Sequence, residues 1–82
     1  MKHLLIRLNI RDGEREYTYQ CLHITGAKNI VFVANRFAAS FWGDSERNGN
    51  GWDAWGGEIH IQLSKVTEIT QDKYLELFNL FH

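Results

Sequence analysis

The sequence predicts an α+β, two-layer sandwich in which a three-stranded, mainly antiparallel sheet carries two helices on one face, in the order β-β-α-β-α. Three observations carry that prediction: strict apolar alternation from Lys2 to Arg11, running into Asp12 and Gly13; apolar residues at helical spacing from Ala27 to Phe41; and a second alternating run from Glu58 that leads into an apolar helical stripe. Segregated elements of this kind pack as helices on a sheet.

In the first run Leu4, Ile6, Leu8 and Ile10 share one face, with Leu5, Arg7, Asn9 and Arg11 on the other. Asp-Gly is favoured in a two-residue type I′ turn, where both central residues need positive φ. Pairing Arg11 with Glu14 sets Ile10 opposite Arg15, Leu8 opposite Tyr17, Ile6 opposite Tyr19 and Leu4 opposite Cys21. Arg11 then lies beside Glu14 at the tip. Next, Thr25 is an acceptable helix N-cap, and Ala27, Ile30, Val31, Ala34, Phe37, Ala38 and Phe41 form the buried stripe. Ile30-Val-Phe-Val, judged alone, has the β-branched character of a strand; the length of the segment and its Ala-rich continuation favour helix. Gly43 is positioned as the C′ residue.

Gly43 to Gly57 holds five of the seven glycines, has no periodicity and reads as one long loop. Glu58 to Ile69 alternates at Ile59, Ile61 and Leu63, then slips phase at Lys65 and Val66, which signals a bulge or an early end. Thr70 caps a last helix whose Tyr74, Leu77, Phe78 and Phe81 form an apolar stripe, with Asp72 in the first turn. A crossover through the first helix places the third strand beside the first, giving strand order 2-1-3.

Eighty-two residues, 44% hydrophobic and 13% aromatic, describe one domain spanning residues 1–82. A chain this short buries only about 60% of its unfolded surface. The net charge of −1 excludes a global field that recruits nucleic acid or an anionic membrane. Charge is nevertheless uneven, +3 through Phe41 and −4 beyond it. A single cysteine allows no internal disulfide, and Arg7 interrupts the N-terminal apolar stretch, so the chain reads as soluble and cytoplasmic, with no membrane partner.

Candidate chemistry is sparse. Cys21 and His23 share a strand face about 6 to 7 Å apart, too far for a dyad, and Cys21 reads as a small core residue. His3, His23, His60 and His82 show no metal spacing. Asp44, Glu46, Asn48, Gly49 and Asn50 follow an EF-hand-like count, but Trp55 stands where the bidentate carboxylate is required. No catalytic residue, cofactor or metal is assigned, and the chain reads as non-enzymatic.

Trp52 and Trp55, with Asp53 between them, are the most conspicuous side chains of the loop. Two readings compete for them: burial against the small core, or a binding patch with Arg47, Asp44 and Glu46 as its polar rim. The functional expectation is a protein-binding module using Trp52, Trp55, Asp53, Arg47, Asp44 and Glu46. The alternative is a nucleic-acid-binding accessory protein using Arg7, Arg11, Lys28 and Arg36. Self-association as a homodimer, through the exposed sheet face or the last helix, is compatible with either.

Ile10 to Tyr19, Phe41 to Asp44 closing the helix, and Gly56 to Thr70 before the last helix together resemble small proteins of bacteria and their mobile elements. The layout is similar to that of phage-encoded anti-CRISPR inhibitors. That resemblance is one of layout over the whole chain and carries no functional residue across. It implies a stoichiometric inhibitor that occupies a surface of a host protein or defence complex.

Overall fold

The computed structural model describes residues 1–81. Strand β1 (Lys2–Asp12) turns into β2 (Arg15–Thr25), helix α1 (Ile30–Ser40) follows, then β3 (Ser45–Asn48), β4 (Gly51–Ala54), a 3₁₀ turn (Trp55–Gly57), β5 (Ile59–Ile69) and helix α2 (Gln71–Phe81). The sheet is five-stranded and antiparallel throughout, in the order β2-β1-β5-β4-β3. This corrects the three-stranded expectation. The segment read as one long loop contributes two of the strands.

The β1–β2 hairpin forms with a register two residues from the expected one. Asp12 pairs with Arg15, Ile10 with Tyr17, Leu8 with Tyr19, Ile6 with Cys21 and Leu4 with His23. Gly13 and Glu14 are therefore the central turn residues, and only Gly13 has positive φ, at 62°. Glycine at the first central position suits a primed turn of the II′ kind, so the turn sits one residue later than an Asp-Gly type I′ turn. A shift by an even number keeps every side chain on its face. The apolar face survives, and Arg11 meets Glu16 instead of Glu14.

The β3–β4 hairpin repeats the device. Asn48 pairs with Gly51 around Gly49 and Asn50, with Gly49 at φ 61°. In β5 the predicted slip is a bulge: Arg7 pairs with Lys65 but Leu8 with Leu63, leaving Ser64 without a partner on β1. The third strand of the sequence reading does lie beside the first, as an antiparallel neighbour.

Helix α1 starts four residues later than Thr25 predicts. Asn29 is its N-cap, its Oδ1 accepting from the Phe32 N–H at 3.1 Å, while the Thr25 hydroxyl accepts from the Ala27 N–H in a local turn. The Ile30-Val-Phe-Val run is the first turn of this helix. Its C-cap is Phe41, so Gly43, at φ 84°, stands one residue beyond the C′ position. Fully buried Ala34 and Ala38 let the helix backbone approach the sheet, over Leu4, Ile6, Leu8, Ile10 and Ile61. Val31, assigned to the buried stripe, is instead 52% exposed, and Val33 takes its place against the core.

Helix α2 is capped by Thr70, whose hydroxyl accepts from the Lys73 N–H and whose carbonyl accepts from the Tyr74 N–H. It does not share a face with α1. His23 and Tyr19 meet Phe37 and Phe41 of α1, whereas Tyr74 of α2 meets His3, which projects from the opposite side of β1 to Leu4. The apolar residues of that second face explain the placement. Leu5, Leu22 and Ile69 gather at one end of it through pairing across β2, β1 and β5, and all are half-buried. Among the described residues no helix is long and apolar enough to cross a membrane.

Candidate protein-binding groove

Alternation along β4 decides which loop residues can act together. Trp52 and Ala54 turn toward α1 and the core, whereas Gly51 and Asp53 turn away. Arg47 is the cross-strand partner of Trp52, and its guanidinium lies 5.1 Å from the indole centroid. Its Nε donates to the Gly49 carbonyl at 3.0 Å, which fixes the stack. One turn of α1 provides a matching pair: the Arg36 guanidinium lies 5.9 Å from the ring of Phe32, the i, i+4 neighbour. Between the two stacks runs a groove of about 410 Å³, lined by Asn29, Val31, Phe32, Asn35, Arg36, Ala39, Arg47 and Trp52. Phe32 is 57% exposed in it. Trp52 is half-buried, and its Nε1–H has no acceptor among the described residues.

The remaining predicted loop residues lie elsewhere. Asp44, Glu46, Asp53 and Trp55 line a separate hollow with Gly56 and Gly57. Trp55 is 68% exposed and sits at φ 56°, so it is no core residue. The six residues expected to form one patch thus divide, Arg47 and Trp52 in the groove and the other four around the hollow. Of the four bases expected to bind nucleic acid, Arg7 and Arg11 project from the second sheet face, Arg36 from the outside of α1, and Lys28 precedes that helix with its carbonyl bonded to the Lys2 ammonium. They form no single basic surface.

Beyond α2 the second face holds a feature that the sequence reading missed. Glu16, Arg11, His60, Asp53 and Glu46 stand in register across all five strands. His60 Nδ1 lies 2.6 Å from Asp53 Oδ1, and the Asn48 amide donates to Asp53 Oδ2 at 2.6 Å. These two hydrogen bonds, His60 first, hold the Asp53 carboxyl below its ordinary pKa. The imidazole rests over Gly51, where a Cβ would come within 2.6 Å of Nε2. Asp53 therefore ties the β3–β4 hairpin to β5 rather than serving the groove. No sequence signal marks this row, because its members come from five strands whose registers must be known first.

Cys21 agrees with its reading as a core residue. Its thiol donates to the Ile6 carbonyl at 3.7 Å, and burial pushes its pKa up to about 11, so it is a poor nucleophile. His3 and His23 are separated by the sheet, and His82 lies outside the described residues. Among the described residues no three His, Cys, Asp or Glu side chains converge on a point that would suit a metal ion. The residues of the EF-hand-like count form the β3–β4 hairpin and the turn before it.

Of the α1 residues of the groove, Arg36 was marked only as a base for nucleic acid, and Phe32 escaped for a specific reason. The helical stripe was read for its core side, and Phe32 with Arg36 falls on the other side. The signal was present as an aromatic–arginine pair at i, i+4 on an outward face. Comparison with protein-family models, curated proteins and solved structures gives no match to this chain, so the groove's role is argued from its own chemistry.

Proposed function

We propose that the chain is a non-enzymatic protein-binding module that docks its partner in the groove between α1 and the β3–β4 hairpin. One observation carries the reading: the groove's two walls each present an arginine stacked on an aromatic ring, and neither guanidinium is ion-paired among the described residues. Arginine and tryptophan dominate the energetics of protein interfaces, and side chains already held in place lose little entropy on binding. The layout resemblance makes a stoichiometric inhibitor of a host defence complex the specific form of this proposal.

The test is capture from source-cell lysate, with nuclease present, by the wild-type chain and by Phe32→Ala and Arg36→Ala. Both positions are exposed, so the variants fold. The proposal requires a stoichiometric protein that the wild type retains and both variants lose by tenfold or more, at unchanged thermal midpoint. Equal capture by all three chains overturns it. Loss of every partner on nuclease treatment would replace it with nucleic-acid binding.

A further inference from the structure

We infer that the groove takes an acidic peptide segment, one large apolar side chain flanked by carboxylates. This rests on the protein-binding reading of the same groove and adds the chemistry of the partner. Between the guanidiniums the lining is mainly apolar, formed by Val31, Phe32, Ala39 and Trp52 with the amides of Asn29 and Asn35, and about 410 Å³ lies within the range that accepts a large side chain. No carboxylate lines the groove. The nearby acids lie outside it: Glu46 and Asp53 are on the far side of the sheet, and Asp44, before β3, lines a neighbouring hollow that shares Phe32, Arg36 and Ala39 with the groove.

Each guanidinium carbon lies over a ring within cation–π reach, 5.9 Å from the Phe32 centroid for Arg36 and 5.1 Å from the Trp52 centroid for Arg47. The guanidinium fork is the side-chain group that receives a carboxylate in two parallel hydrogen bonds. Arg47 is further restrained because its Nε already bonds Gly49, leaving its terminal amino groups for a ligand. Two fixed cations about an apolar floor complement an acidic, aromatic or aliphatic segment. They do not complement a nucleic-acid backbone, which requires a track of bases along several phosphates. Of the other bases, Arg7, Arg11 and Lys65 project from the opposite sheet face, and none lines the groove.

The experiment is selection of a random twelve-residue peptide library on the full chain, followed by anisotropy with the selected peptides and with labelled dT20. The expected peptides carry Asp or Glu beside Phe, Trp, Leu or Ile. They bind R36Q/R47Q at least tenfold more weakly, and R36E/R47E selects Lys and Arg in place of the acids. Circular dichroism and the thermal midpoint confirm that each variant is folded. Peptides that depend on Phe32 but show no acidic preference overturn the inference and leave groove docking standing. Peptides indifferent to Phe32→Ala, or no selected peptides at all, overturn both. Tight, strongly salt-dependent binding of dT20 that the peptides displace overturns both in favour of nucleic acid.

Discussion

Gly51 is the position at which one added methyl group meets the most resistance. Its Cβ would approach both His60 Nε2 and the Ile61 carbonyl to 2.6 Å, and the carbonyl belongs to the central part of the sheet and cannot step aside. Gly51→Ala is expected to cost about 2–3 kcal/mol in urea denaturation, the scale of an overpacked core; an unchanged midpoint would contradict the packing. Trp52 of β4 and Trp55 of the 3₁₀ turn behave oppositely. Trp52→Ala, which strips indole from the core's edge, should destabilise by about 2 kcal/mol, whereas Trp55→Gly removes a left-handed side chain and should be neutral or stabilising by up to about 1 kcal/mol. The core reading thus holds for Trp52, which packs against the core, and not for Trp55, which is exposed. Asp53 contributes to the acid limb of stability. Its folded-state pKa lies below the ordinary value of 3.8, so its contribution is present above that pH and lost as pH falls through it toward the lowered value. Asp53→Asn should therefore flatten the stability curve in that acid interval and nowhere else, as followed by denaturation at stepped pH.

Elements were legible in proportion to their length and periodicity. β1, β2, β5 and both helices are each eleven residues long, and alternation or a helical stripe marks all of them except much of β2, which the turn locates. β3 and β4 are four residues each; Ser45 to Asn48 has no apolar residue to alternate, and only Trp52 and Ala54 mark the inner face of β4. Such strands are fixed by tertiary pairing, which is why the segment read as a loop. The hairpin register failed for a narrower reason: Asp-Gly serves equally at the two central positions or with Gly leading, and the local sequence does not choose. The side for α2 depended on apolar residues dispersed over β1, β2 and β5, visible as a patch only after pairing. The Thr70 cap, by contrast, was readable from sequence. Thr70→Ala is expected to cost about 1 kcal/mol and to loosen α2 selectively, seen as faster amide exchange at Lys73 and Tyr74.

At the scale of the molecule, the sheet's two edges are unequal. The β3 edge is short and carries Glu46 and Arg47, features that discourage a further strand. The β2 edge is eleven residues long, with Arg15 and Glu16 as its only charges, both at one end. Association between copies on heating should therefore start at β2, and Thr18→Lys should raise the onset temperature of light scattering; an unmoved onset would place the contact elsewhere. The groove's halves were only partly legible at this scale too, since α1 and the β3–β4 hairpin are brought together by tertiary packing against the core and by the bond from the Ser45 hydroxyl to the Ala39 carbonyl.

The central pairing of β1 with β5 has its own consequence for how the chain is made. Both hairpins close locally, but His3 meets Ile69 and Asp12 meets Ile59 across most of the chain's length. Loop closure over that span is costly, so this pairing is expected to form after the two hairpins. On the ribosome, β1 emerges first and waits for its inner neighbour until β5 has been synthesised, an interval of several seconds at roughly 5–20 residues per second. For that time Leu4, Ile6, Leu8 and Ile10 are covered at most by β2 and α1, so the nascent chain is most open to chaperone capture through its own first strand.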